Sequence, residues 1–125
     1  MTENELSRII VDSAFKIHTT LGPGLLESVY EATLAYELNG RGLDILKQQA
    51  IPVVYEDVQL DVGFRADLIV NRKVVIEIKS VEALAPVQAK QVRTYLRLTD
   101  LRLGLLINFN VNLIKDGIRR VVNNL

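Results

Sequence analysis

The sequence predicts an α/β (α+β) domain in which a mixed β-sheet is flanked by helices, in the order α-α-β-β-β-α-β plus a C-terminal hairpin. Apolar residues recur at helical spacing in three segments, and a Gly- or Pro-containing stretch marks one end of each. Between and after these segments the chain has runs rich in branched apolar residues, as strands do. We expect residues 1–125 to form a single domain.

Capping and helix-breaking residues delimit the first two helices. Thr2 or Asn4 is expected to cap the first helix, which Gly22-Pro23-Gly24 ends. The second helix is expected over Leu25–Leu38, and its apolar residues fall on two opposite sides, which predicts burial on both. His18, one turn before the end of the first helix, is interpreted as a partly buried structural histidine rather than a ligand.

Strand signals follow the second helix as apolar runs separated by turn formers. Pro52, near the start of one run, marks an edge strand or a bulge. The runs and turns, in order, are Leu43–Gln49, Ile51–Tyr55, the turn Glu56-Asp57, Val58–Val62, Gly63–Val70, the connection Asn71-Arg72-Lys73, and Val74–Lys79. The last two runs have the spacing of a β-hairpin.

A third helix is expected from Pro86 to about Leu98, because proline is favoured at the first helical position. Ala85, Ala89, Val92 and Leu96 form its apolar stripe. On one flank of the stripe lie Gln88, Gln91 and Tyr95, and on the other lie Lys90, Arg93 and Arg97. The basic flank is interpreted as a solvated face.

The C-terminal residues predict one buried strand and a small hairpin. Leu101–Phe109 is almost continuously apolar, as in a strand covered on both faces. Leu113–Lys115 and Ile118–Val122 are expected to pair around a type I′ turn at Asp116-Gly117.

Composition excludes several classes of site. The chain has no cysteine, so disulfides and thiolate metal sites are excluded, and its single histidine excludes a His-rich site within one chain. Fifteen Lys and Arg balance fifteen Asp and Glu, so net charge gives no argument for nucleic-acid binding, which would need a local basic patch or a metal. No apolar run reaches the roughly 20 residues of a membrane span, and the N-terminus lacks a basic signal start, so a cytoplasmic protein is expected.

The predicted central hairpin carries charges that a buried strand should avoid. Strand alternation puts Glu77 and Lys79 on one face, and pairing would bring Asp67 of the other strand beside them. Two carboxylates about 5 Å apart repel by roughly 3 kcal/mol at an effective dielectric of about 20, and a divalent cation would offset this. Oxygen ligands suit Mg²⁺ or Mn²⁺. A structural cross-strand ion pair is the alternative, and spacing alone does not decide between them.

The motifs resemble those of the PD-(D/E)xK nuclease superfamily. Asp67 followed by Glu77-Ile78-Lys79, within this order of helices and strands, is similar to the motif that names it. Gly24–Tyr30 resembles the signature of the GxxExxY proteins, and Gln91–Tyr95 resembles the QxxxY motif of RecB-like nucleases. The resemblance implies a restriction-endonuclease-like core.

The resemblance also implies roles for the motif residues. The implied metal ligands are Asp67, Glu77, the backbone carbonyl of Ile78, and Glu27. Lys79 would position or deprotonate the attacking water. The implied catalytic residues are therefore Asp67, Glu77, Lys79 and Glu27, and those that support the site or contact substrate are Gln91, Tyr95 and Tyr30. The implied cofactor is Mg²⁺ or Mn²⁺.

The sequence thus predicts a divalent-metal-dependent nuclease that hydrolyses phosphodiester bonds, with DNA preferred to RNA as partner. A catalytically silent nuclease-fold module that binds nucleic acid or protein remains open, as does a smaller phosphoester substrate. The intact set of Asp67, Glu77 and Lys79 favours the enzyme. Edge strands also favour a homodimer, which light scattering across a range of concentrations would detect.

Overall fold

The computed structural model describes the backbone of residues 1–125 and every side chain except those of residues 61 and 62. Its five-stranded sheet has the order β1-β2-β3-β4-β5, in which β3 and β4 are parallel and the other neighbours antiparallel. The elements are α1 (Glu3–Leu21), α2 (Glu27–Gly40), β1 (Ile45–Tyr55), β2 (Val58–Val70), β3 (Val74–Lys79), α3 (Pro86–Thr99), β4 (Leu103–Asn108), a 3₁₀ turn (Ile114–Gly117) and β5 (Ile118–Val122). The predicted mixed sheet flanked by helices is confirmed.

Thr2 caps α1, as the sequence predicted. Its Oγ1 accepts a hydrogen bond from the Glu5 N–H at 3.1 Å, and Glu5 Oε1 accepts one from the Thr2 N–H at 3.1 Å. This reciprocal pair satisfies donors that the start of a helix otherwise leaves unpaired. The helix ends at Gly22, whose φ of 71° suits glycine.

The sheet separates two apolar cores. α1 and α2 cover one face, where Ile76 and Ile78 of β3 are buried. α3 covers the other face and packs against Val75 of β3 and Leu106 of β4. Fully burying a large apolar side chain stabilises the fold by roughly 1.5–3 kcal/mol. Because β3 and β4 are buried on both faces, they lie at the centre of the fold.

Gly104 allows α3 to lie close to β4. A Cβ atom at this position would be 2.5 Å from Cγ1 of Val92, which is shorter than carbon atoms approach. A larger residue would therefore push α3 away from the sheet. Since α3 also carries Tyr95, the glycine helps to set the height of that side chain above the sheet.

The two-sided burial predicted for α2 is wrong. Tyr30, Leu34 and Leu38 are fully buried, but Val29 and Tyr36 are 39% and 79% exposed. In the part of the chain that the structure describes, nothing covers this second side. Apolar side chains are common on protein surfaces, so the second stripe did not require a partner.

The predicted C-terminal hairpin is also wrong. Residues 114–117 form a 3₁₀ turn, and β5 pairs with β4 instead of with residues 113–115. Ile114 is buried in the core beneath α1, and Gly117 is buried where a Cβ would overlap the carbonyl of Asn108. Burial of these two residues overrides the local preference of an Asp-Gly pair for a type I′ turn.

β1 and β2 form a long antiparallel ribbon. β2 runs without interruption over residues 58–70, so the run Val58–Val62 continues directly into the first strand of the central hairpin. β1 lies at the edge of the sheet, and its register with β2 shifts between Ile51 and Val53. The predicted edge or bulge at Pro52 is therefore confirmed.

His18 is buried, and its Nε2 atom lies 2.7 Å from the carbonyl oxygen of Val111. This contact ties the end of α1 to the segment after β4, so the predicted structural interpretation is confirmed. Among the helices described, none is long and apolar enough to cross a membrane.

Candidate active site

The ladder of backbone hydrogen bonds between β2 and β3 ends at two carboxylates, each of which accepts a hydrogen bond from a backbone N–H of the neighbouring strand. The last paired residues are Leu68 and Ile76. One step further, Oδ2 of Asp67 accepts a hydrogen bond from the Ile78 N–H at 2.8 Å, and Oε1 of Glu77 accepts one from the Asp67 N–H at 3.2 Å. Beyond this point β2 continues with β1, and β3 continues with β4. We call this opening, formed by Asp67, Glu77 and Ile78, the fork.

The surroundings of Glu77 in the fork disfavour the ionised form of its carboxyl group. Its side chain is 7% exposed. Burial, followed by the charge of Asp67, raises the pKa of Glu77 to about 7, although the hydrogen bond from the Asp67 N–H and the charge of Lys79 oppose part of the shift. Near neutral pH the carboxyl group is therefore close to half protonated, and a nearby cation would favour its ionised form.

Lys79 lies two residues beyond Glu77 on the same face of β3. No carboxylate oxygen among the described residues lies within 4.0 Å of its ammonium group. Its own carbonyl accepts a hydrogen bond from the Phe109 N–H at 3.0 Å. The amide of Asn108, a buried residue, bonds both backbone groups of Val81 at 3.0 and 3.1 Å. Hydrogen bonds thus hold the backbone around Lys79 in place, and its ammonium group forms no ion pair with a described carboxylate.

Glu31 and Gln48 belong to this cluster and were not predicted. Nε2 of Gln48 lies 2.5 Å from Oε1 of Glu31 and 3.2 Å from Oδ1 of Asp67, so it bridges the two carboxylates. Burial raises the pKa of Glu31, and so do the charge of Asp67 and a hydrogen bond with it. A third carboxyl group therefore faces Asp67 from α2.

The sequence carried a signal for Glu31 but not for Gln48. Glu31 lies on the same helical stripe as Glu27, one turn further on, so it could have been considered with it. Gln48 reaches the site through an unusual backbone, with a φ of 49°. A non-glycine residue in this region costs roughly 1 kcal/mol or more and often occurs at functional sites.

Glu27 lies at the exposed start of α2, near the C-terminal end of β3. Its Oε2 atom accepts a hydrogen bond of 3.4 Å from the N–H of Ser80, the residue after Lys79. The hydroxyl of Ser80 also donates to the Leu25 carbonyl at 2.6 Å, which joins this loop to β3. Among the described hydrogen bonds, none joins Glu27 to Asp67 or Glu77.

The two tyrosines of the motifs are buried. The hydroxyl of Tyr30 donates to the Gly22 carbonyl at 2.6 Å and accepts from the Leu25 N–H at 3.1 Å. Its ring stacks on Phe109, with centroids 4.4 Å apart. Tyr30 is fully buried, so it supports the loop before α2 and does not reach a substrate.

Tyr95 faces the fork from α3, whereas Gln91 is exposed. Burial, followed by the charges of Glu77 and Asp67, raises the pKa of Tyr95 to about 12. Its ring lies 4.5 Å from that of Phe64 on β2. The hydroxyl group of Tyr95 is therefore uncharged at neutral pH, and its side chain lies beside the carboxylates.

The donor set of the fork fits a hard divalent cation in its chemistry. Carboxylate oxygens predominate, and burial together with repulsion from Asp67 raises the pKa of Glu77 and of Glu31. As the side chains lie, however, no group of three or more His, Asp or Glu residues among those described is arranged to hold a metal ion. One oxygen each of Asp67 and Glu77 is used by a backbone N–H. The other oxygen of Asp67 accepts from Gln48, so a cation would bind the second oxygen of Glu77 and share or displace the Gln48 contact at Asp67.

A family model described as the PD-(D/E)XK nuclease superfamily matches residues 4–121. This match covers nearly the whole length, and the chain belongs to that superfamily. Its members usually use divalent metals. No curated protein and no solved structure matches the chain. The resemblance to the GxxExxY proteins stays a prediction.

Proposed function

We propose that this protein is a divalent-metal-dependent nuclease that hydrolyses phosphodiester bonds, with Asp67, Glu77 and Lys79 at its centre. One observation carries the proposal. In a chain of this superfamily, Asp67, Glu77 and Lys79 lie on the strands where the β2–β3 ladder opens, and the pKa of the buried Glu77 is raised to about 7. Buried carboxylates whose ionisation is suppressed cost stability, and they persist most often where function needs them.

The metal, Mg²⁺ or Mn²⁺, would be held by Asp67, Glu77 and the carbonyl of Ile78. The Ile78 N–H points to Asp67, and the carbonyl of the same residue points to the same side of a strand. Glu27 would hold a metal-bound water, and Glu31 competes with it for this role because it faces Asp67 directly. When bound, the cation lowers the pKa of water and neutralises phosphate charge.

The residues around the metal position act on the water and the phosphate. Lys79 would orient the attacking water or accept its proton at Nζ, and it would stabilise the charge that develops on the phosphate oxygens. The hydroxyl of Tyr95 would remain protonated and donate to a substrate oxygen or to a carboxylate, because its pKa is about 12. Gln91, exposed on the same side of α3, would contact the nucleic-acid backbone.

A silent nuclease-fold module remains the second candidate function, and one observation favours it. The carboxylates as placed do not form a three-residue metal site among the described side chains. In such a module the fork would be a structural remnant, and any nucleic acid or protein partner would bind elsewhere. DNA as the partner in preference to RNA, and a homodimer that presents two sites to a duplex, also remain proposals.

Cleavage of a substrate panel decides between the two functions. Purified protein is incubated with single- and double-stranded DNA and RNA, linear and circular, in Mg²⁺, in Mn²⁺ and in chelator. We expect metal-dependent cleavage of at least one substrate. The same panel with Glu27→Gln and Glu31→Gln identifies which α2 carboxylate is required. Absence of cleavage by the wild type under both metals would leave the silent module as the better description.

A further inference from the structure

The net charge of the chain is zero, but acidic and basic residues are distributed unevenly along the sequence. Residues 1–85 carry eight Lys and Arg against thirteen Asp and Glu, whereas residues 86–125 carry seven against two. The acidic part contains the fork, and the basic part contains α3, β4 and β5. A balanced total therefore does not exclude a local surface that attracts phosphates.

Part of the basic charge lines a groove between α3 and β5, at the edge of the sheet opposite β1. The groove encloses about 470 Å³ and has apolar side chains, Ala89 and Val121, at its base. Its cationic lining residues are Lys90, Arg93, Arg119 and Arg120. We call it the α3–β5 groove.

The strand register explains how two elements contribute charge to one surface. Arg119 lies opposite Leu106 of β4, which packs beneath α3, so its side chain stands on the α3 face. Lys90 and Arg93 are exposed on the flank of α3 that faces β5. Arg120, on the other face of the strand, donates to Oδ1 of Asn4.

Lys90, Arg93 and Arg119 form no ion pair with another described residue. The ion pairs among the described residues join Lys16 to Glu37 and Arg41 to Asp12 and Glu37, and none involves a residue of the groove. Like charges that are held close together without a counter-charge repel one another. A polyanion in the groove would relieve this repulsion and release its own counterions.

α3 lies between the groove and the fork. Its Tyr95 side faces Asp67 and Glu77, and its Lys90 and Arg93 side faces β5. A helix with its side chains is about 10–12 Å across. One strand of a duplex advances about 3.4 Å per nucleotide, so roughly three or four nucleotides would span the helix.

We propose that the α3–β5 groove is a second binding site, which holds the phosphate backbone of a nucleic acid three or four nucleotides away from the bond at the fork. The inference rests on the proposed function for its choice of ligand. The groove would supply affinity that the acidic surroundings of the fork lack. Because guanidinium and ammonium groups contact phosphates without reading bases, binding would not depend on sequence.

Binding is measured separately from cleavage, in chelator, where no hydrolysis occurs. Fluorescence anisotropy follows labelled oligonucleotides of about 4 and about 20 nucleotides between about 50 and 200 mM salt. The groove variant is Arg93→Glu/Arg119→Glu, and the charge-matched control is Arg8→Glu/Arg72→Glu, at exposed arginines outside the groove. Arg93→Gln/Arg119→Gln serves as a milder variant should charge reversal disturb folding.

We expect the groove variant to bind the long oligonucleotide at least about tenfold more weakly, with a salt slope smaller by about 1.4–1.8. The control should stay within about twofold of the wild type, and the short oligonucleotide should bind weakly to all proteins. The neutral variant should fall between the wild type and the groove variant.

Three results would overturn the proposal: equal weakening in groove and control variants, unchanged binding in the groove variants, or tighter binding of a labelled polyglutamate peptide than of nucleic acid. The two proposals fail separately. Metal-dependent cleavage that is unaffected by the groove variants removes the groove but leaves the nuclease. Groove-dependent binding without cleavage by the wild type keeps the groove and removes the nuclease.

Discussion

Replacing Lys79 with alanine is expected to slow metal-dependent phosphodiester cleavage by at least about 100-fold. A positioned group that transfers a proton or stabilises charge in the transition state typically contributes a factor of this size or more. The ammonium group of Lys79 has no carboxylate partner within 4.0 Å among the described residues, so it is available to water and phosphate. Because its contribution is realised in the transition state, kcat should fall more than KM rises.

Lys47→Ala is the matched control for Lys79→Ala. Lys47 is exposed on β1, and its charge lowers the pKa of Glu31. The control therefore removes a cation near the site but leaves Glu77 and Lys79 unchanged. Its rate should stay within a few-fold of the wild type. Lys79→Arg keeps the positive charge but replaces the amine with a guanidinium, which stays protonated in proteins, so it separates charge stabilisation from proton transfer. A Lys79→Ala enzyme with wild-type kcat would remove this residue from the mechanism.

Glu77→Gln is expected to stabilise the protein in chelator at pH 8 and to leave its stability nearly unchanged at pH 4.5. Because folding raises the pKa of Glu77 from 4.5 to about 7, stability that is present at low pH is lost as the pH rises through this window. Well above pH 7 the full cost, about 3 kcal/mol, is present in the wild type. Glutamine is uncharged at every pH and therefore avoids this cost, and its Oε1 can still accept a hydrogen bond from the Asp67 N–H.

Thermal melting between pH 4.5 and 8.5 measures this effect. For a domain of this size the gain at pH 8 corresponds to a rise of roughly 9–15 °C in Tm. Glu82→Gln, at an exposed carboxylate nearby, should change the Tm by little at any pH. A millimolar-affinity metal at about ten times its Kd should stabilise the wild type by about 1.4 kcal/mol and the Glu77→Gln protein by less. Equal melting of wild type and Glu77→Gln at pH 8 would show that Glu77 carries no such cost.

Asp67 is a less direct probe of the same repulsion. Its Oδ2 atom accepts the Ile78 N–H, and its Oδ1 atom accepts from Gln48. Alanine at this position would leave a backbone donor without its partner, which costs roughly 1–3 kcal/mol and obscures any relief of repulsion. Glu77 keeps its hydrogen bond when substituted by glutamine, so the electrostatic effect can be measured alone.

The core of the fork could be predicted from the sequence because strand geometry determines it. Alternation places Glu77 and Lys79 on one face, and a three-residue connection fixes Asp67 opposite Glu77. Gln48 could not be predicted this way, because its contact with Asp67 depends on a positive φ that no pattern in the sequence indicates. Glu31 depends on how α2 lies over β2, which is a property of tertiary packing.

The same limit applies to the C-terminal region. A helical wheel correctly separated the basic flank of α3 from its apolar stripe, and Lys90 and Arg93 are exposed. The contribution of Arg119 was missed because an Asp-Gly pair predicted a terminal hairpin, whereas burial of Ile114 leads the chain back to β4. A local turn signal was outweighed by long-range contacts that a single sequence does not display.

The parallel pair of β3 and β4 has a consequence for the folding kinetics of the chain. The other strand pairs join neighbours in the sequence, but this one forms only after the crossover through α3 has closed. It also joins the acidic residues 1–85 to the basic residues 86–125. We therefore expect opposite charge to accelerate this docking step, so that refolding slows as salt is raised from about 50 to 500 mM and the Debye length falls. Two separately produced pieces, divided after Ala85, should likewise associate faster at low salt. A docking rate that does not change with salt would mean that apolar contact alone brings the two halves together.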